Sequence, residues 1–78
     1  MDEQAIEQVV QQIRAYLAAR PQAADTLEGI HHWWINWAGG EESPAVTLAA
    51  LERLVASGEV EQLVLANRNL WRRAAAAG

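Results

Sequence analysis

The sequence predicts an α+β domain, mainly α with a small β-hairpin: three helices followed by two strands. Three observations carry this. Apolar residues recur at steps of three and four in two segments of the N-terminal half. Ser43-Pro44 then opens a third, Leu-rich helix that Gly58 stops. Beyond the glycine, a Val- and Leu-rich run and a short return segment flank an Asn-rich turn.

The first helix is predicted from Asp2 to Ala19. Ile6, Val9, Val10, Ile13, Tyr16 and Leu17 form its apolar face, and Pro21 prevents it from continuing. The second begins at Asp25, read as the N-cap, with Glu28 three residues on to complete a capping box. Leu27, Ile30, Trp34 and Trp37 form its core stripe, Gly39-Gly40 lies beyond it, and its stop is expected anywhere from Trp34 to Ala38. In the third helix Ser43 is the N-cap, Pro44 suits the first helical position, and Gly58 is a left-handed cap. The hairpin is predicted as Glu59 to Leu65, a turn at Asn67-Arg68-Asn69, and a return strand from Leu70 to Arg73. Leu27, Ile30, Trp34, Leu51, Leu54 and Val60 are expected to share one core.

With 78 residues there is one domain, placed at residues 1–73, with 74–78 as a flexible tail. The chain has no cysteine, so neither a disulfide framework nor a thiolate zinc site is expected. Four tryptophans compensate for a small core, since each can bury roughly 150–250 Å². The acidic start Met-Asp-Glu-Gln does not resemble a signal peptide, and no apolar run is long enough to span a membrane. A cytoplasmic protein is expected. The net charge of −4 disfavours nucleic acid and membrane surfaces as partners. The charge is also uneven. All ten carboxylates precede residue 66, while Arg68, Arg72 and Arg73 form a basic C-terminal cluster.

The spacing Thr26-Leu27-x-x-Ile30, then Val46-x-x-x-Ala50-Leu51-x-x-Leu54-x-x-x-Gly58-x-Val60, resembles the winged helix-turn-helix superfamily. The resemblance implies that the third helix is a recognition helix and the hairpin a wing. It turns Val46, Ala50, Leu51 and Leu54 inward and sets Thr47, Leu48, Glu52 and Arg53 at or near the outer face. Members that read DNA usually carry polar or basic side chains there. This chain has Leu48 and Glu52 instead, with Glu41 and Glu42 just ahead of the helix, where they would repel a phosphate. The connection from Trp37 to Ser43 is also longer than the tight turn of a standard DNA-binding pair.

The expected function is therefore a non-catalytic winged-helix module for protein–protein interaction or regulation, docking through the recognition-helix face. Its interface candidates are Trp33, Glu41, Glu42, Leu48 and Glu52, with Ala45 and Ala49 on the same side as Leu48. The partner is another protein or a second copy of the chain. The alternative is a dimeric DNA-binding regulator using Arg53, Arg68, Arg72 and Arg73, set against an ordinary reading in which Glu59 and Glu61 pair with the wing arginines. His31 and His32 are adjacent, so their rings are not expected to converge on one ion, and Glu28 is the expected partner of His32. Glu41-Glu42 lacks a nucleophile motif, phosphate loop or metal set nearby. No enzyme activity, cofactor or small-molecule substrate is expected.

Overall fold

The computed structural model describes residues 2–75. In chain order it contains α1 (Glu3–Ala19), β1 (Ala24–Asp25), α2 (Leu27–Gly29) continuing into a π-helical turn (Ile30–Trp34), α3 (Pro44–Ala56), β2 (Val60–Leu65) and β3 (Arg68–Arg73). The strands form one antiparallel sheet in the order β1-β3-β2. The chain is thus an α+β protein of three helical segments and a hairpin, with β1 as a third strand that the sequence reading did not anticipate. At two residues, β1 is too short to show an alternating pattern.

The ends of α1 and α3 follow the local chemistry of the sequence. Asp2 accepts a hydrogen bond from the Gln4 amide, and Ser43 Oγ accepts one from Ala45 N. At the end of α3, Gly58 has φ +83°, and its N–H bonds to the Val55 carbonyl while Glu59 N–H bonds to that of Leu54. Those two bonds make a Schellman cap, which needs a left-handed residue at Gly58.

The second helix departs from expectation at its start, while its end at Trp34 falls within the expected range. Its N-cap is Thr26, whose Oγ1 accepts from Gly29 N at 3.2 Å. Asp25 instead belongs to β1 and accepts from Thr26 N at 2.8 Å. The one-residue shift removes the capping box with Glu28. A Cβ at Gly29 would run into the Asp25 carboxylate, so glycine here lets that side chain keep its bond to Thr26 N. At the other end the backbone becomes extended at Ile35, so Trp37 is not on the helix. Its indole folds back, donating from Nε1 to the His31 carbonyl at 2.7 Å. Ile35 is buried and was missing from the expected core.

The hairpin turn also lies earlier than predicted. Ala66 and Asn67, with φ +53° and +64°, form a two-residue connection, and Leu65 pairs with Arg68. Two left-handed residues match the right-handed twist of the strands. β3 therefore starts at Arg68, not Leu70. Ala74 belongs with the ladder and not with a tail, since its N–H bonds to the Glu59 carbonyl at 3.0 Å. Residues 76–78 of the expected tail lie outside the described residues.

The core joins Ile6, Val9, Val10, Ile13 and Leu17 of α1 to Ile30, Trp34 and Ile35, to Val46, Ala50, Leu51 and Leu54 of α3, and to Val60 and Trp71. Five of the six expected core residues are in it; Leu27 is half-buried against its edge. Tyr16 stacks on Trp34 at 4.3 Å between ring centroids, and the Arg20 guanidinium lies 4.6 Å above Tyr16. No helix among the described residues is long and apolar enough to cross a membrane.

Candidate functional site

A cleft of about 760 Å³ opens between the second helix, α3 and the hairpin. The second helix contributes Thr26, Leu27 and Glu28, α3 contributes Leu48 and Glu52, and the strands contribute Gln62, Arg68, Asn69 and Trp71. Leu27, Leu48 and the buried Trp71 supply its apolar patch. Glu28 and Glu52 are exposed, and among the described residues neither has an ion-pair partner. Gln62 Nε2 donates to Asn69 Oδ1 at 3.3 Å and ties the two strands together along the cleft wall. The cleft is thus lined mostly by polar groups, with a small apolar patch, two open carboxylates and Arg68 at its rim.

Of the five expected interface residues, only Leu48 and Glu52 line this cleft. Leu48 is half-buried and packs on the core edge, so it is not the free outward side chain expected. Ala49 is half-buried in the same way. Trp33 is 80% exposed but stands outside the cleft. Glu42 lines a separate groove of about 600 Å³ between α1 and the loop 36–42. Glu41 faces the two histidines. Glu28 and Trp71, which complete the cleft, were missed because their roles depend on how the second helix and the hairpin meet α3.

The position of Thr47 is the largest correction on α3. It was expected near the outer face but is 0% exposed, as is His31, and Thr47 Oγ1 shares a 2.7 Å hydrogen bond with His31 Nδ1. His31 Nε2 lies 3.4 Å from Glu41 Oε2 without hydrogen-bonding geometry, and His32 Nδ1 lies 3.2 Å from Glu41 Oε1. The two rings therefore meet one carboxylate, because Glu41 comes from a different segment and offers one oxygen to each. His32 pairs with Glu41, not with Glu28. A hydroxyl, an imidazole and a carboxylate in line are the parts of a nucleophilic relay, but Thr47 leaves no surface for a substrate to approach. No group of three or more His, Cys, Asp or Glu side chains among the described residues is arranged to hold a metal ion.

The arginines divide by their partners. Arg53 reaches across to Glu3 of α1, with Glu7 at 3.9 Å, and so is turned away from the cleft. That contact holds the Glu3 carboxyl below its ordinary range and raises Arg53. Arg72 pairs with Glu61 across the strands at 2.8 Å. Glu59, a second expected partner for the wing, instead accepts two 2.8 Å hydrogen bonds from Arg14 of α1 and one from Ser57 Oγ. Those bonds pull its carboxyl down to about 2. Among the described residues, only Arg68 and Arg73 of the four nucleic-acid candidates lack a carboxylate within 4 Å.

Compared with known proteins, the chain matches no protein family, no curated protein sequence and no solved structure.

Proposed function

We propose that this chain is a winged-helix-type docking module of the cytoplasm, without catalysis. Its cleft takes an amphipathic, basic-flanked segment of a partner protein. The observation that carries this reading is the pairing of Leu48 and Trp71 with two unneutralised carboxylates, Glu28 and Glu52. The apolar surface supplies a contact that excludes water, and the carboxylates select a cationic flank and speed encounter. The resemblance in core spacing and the hairpin placed after α3 support the winged-helix part.

The second reading is a dimeric regulator that contacts DNA phosphates through the hairpin. It rests on Arg68 and Arg73 alone, because Arg53 and Arg72 are already engaged. A useful duplex module neutralises several phosphates, which makes two arginines weak support.

The test is an anisotropy titration with labelled synthetic peptides: an amphipathic helix carrying Leu flanked by Lys, and its Glu-flanked counterpart. The Lys-flanked peptide should bind, and more weakly as salt rises. Leu48→Ala should weaken it, as should Glu28→Gln with Glu52→Gln. Leu48→Ala is preferable to a charge at this position, since a buried charge would test folding as much as docking. Equal binding of both peptides, or no effect of these variants, would refute the docking reading. Sub-micromolar binding of a duplex that is lost with Arg68→Ala and Arg73→Ala would establish the second reading instead.

A further inference from the structure

The sheet order leaves two edges, and they are guarded very differently. The β1 edge is two residues long and follows Pro21 closely. The β2 edge is six residues long, Val-Glu-Gln-Leu-Val-Leu, with no proline, lysine or glycine. Natural edge strands are usually blunted by such residues, by bulges or by being very short. β2 pairs with β3 without a bulge, and its only charge, Glu61, is already held by Arg72. Val64 is 69% exposed and Leu65 is 61% exposed.

The free backbone groups of this edge can be named. Ala74 N–H bonds to the Glu59 carbonyl, so the odd-numbered positions turn their main-chain groups toward β3. Bonded and non-bonded pairs alternate in an antiparallel ladder. Val60, Gln62 and Val64 therefore turn their N–H and C=O groups outward, and Gln62 and Val64 are exposed.

We propose that β2 pairs antiparallel with β2 of a second copy, around a two-fold axis at Leu63, to make a six-stranded sheet ordered β1-β3-β2-β2-β3-β1. In this register Gln62 of each copy exchanges main-chain bonds with Val64 of the other. Leu63 meets Leu63 on the face that also carries Leu65 and Leu70, so the leucine patches of the two copies join. The charges fit as well. Glu61 lies opposite Leu65 of the second copy, whose neighbour across the strands is Arg68. Two strand spacings, about 10 Å between Cα atoms, separate Glu61 from that arginine. An Arg and a Glu side chain can span this together. Arg68, without a carboxylate partner in its own chain among the described residues, thereby comes within reach of Glu61 Oε2, the oxygen that the Arg72 bond leaves open. A parallel arrangement would set Glu61 beside Glu61.

This inference does not rest on the cleft. It is tested by sedimentation of the full chain from micromolar to millimolar concentration, with amide exchange followed by NMR. The mass should rise from 8.6 kDa to twice that value. The Gln62 and Val64 amides, free in the monomer, should become protected as it does. Val64→Lys places a charge on the edge at an exposed position. It should leave the melting temperature of the dilute monomer unchanged and abolish dimerisation, while Gln8→Lys, on exposed α1 surface, should leave the dimer intact. A chain that stays monomeric throughout would overturn the proposal. So would a dimer that survives Val64→Lys with the Gln62 and Val64 amides still exchanging freely, which would place the contact elsewhere.

Discussion

Replacing Thr47 by Val tests the buried His31–Thr47 contact almost in isolation. The two side chains are nearly the same size, so packing around α3 changes little, but the hydroxyl is lost. His31 would then sit with no exposed surface and no hydrogen bond on either ring nitrogen, because Nε2 already has none. Leaving a buried polar group without its partner costs about 1–3 kcal/mol. A domain of this length holds only about 4–12 kcal/mol in total. In a domain of 60–100 residues each kcal/mol moves the melting temperature by about 4–8 °C, so a fall of about 4–24 °C is expected. The assay is thermal and urea unfolding followed by tryptophan fluorescence. A second variant sharpens it. Adding His31→Leu to Thr47→Val removes the orphaned ring, and the double variant should be more stable than Thr47→Val alone, since replacing both partners by apolar groups is nearly neutral. A Thr47→Val protein within ~0.5 kcal/mol of the parent would refute this reasoning.

Two further predictions follow from the hairpin and its junction with α1. Hydrogen bonds from Arg14 and Ser57 lower the Glu59 carboxyl from its usual 4.5 to about 2, so the stability it contributes is full above pH 4.5 and lost as pH falls toward 2. The melting-temperature gap between the parent and Glu59→Gln should therefore be small but present at neutral pH, since the pair is solvent-exposed, and should close across that window. A constant gap would mean the pair is not formed. Ala66 holds φ +53° in the turn, a conformation that L-residues other than Asn and Asp avoid. Ala66→Gly should stabilise the protein by up to about 1 kcal/mol in urea unfolding, and a destabilised variant would argue against the two-residue turn.

Much of the architecture was legible from local chemistry. α1 and α3 announce themselves through 3.6-residue periodicity, and α3 also through Ser43 as its cap and Gly58 as the left-handed stop, because each signal acts within a few residues of where it is read. The hairpin was legible as an element but not in register. Its turn depends on two left-handed residues, and Ala66 is not a residue that signals one. The cap of the second helix was misread for a related reason: Asp25 and Thr26 are both good caps, and the pairing of Asp25 with Trp71 in the sheet decides between them.

The candidate site was legible only in its residue types. The sequence by itself determined an acidic, cysteine-free α+β domain whose third helix carries Leu48 and Glu52. It could not determine which groups meet. Arg53 with Glu3, Arg14 with Glu59 and His31 with Thr47 lie 50, 45 and 16 positions apart, and no local pattern relates them. Packing of α1 against α3 and against the start of the hairpin decided the first two contacts, and packing of the π-helical turn against α3 decided the third. These contacts withdrew Thr47 into the core and Arg53 from the open face, and left Glu28 and Glu52 as the open carboxylates of the cleft. A helical wheel gives the angle of a side chain about its own axis. Only the tertiary structure decides what stands at that angle, because burial and charge pairing are properties of two surfaces in contact.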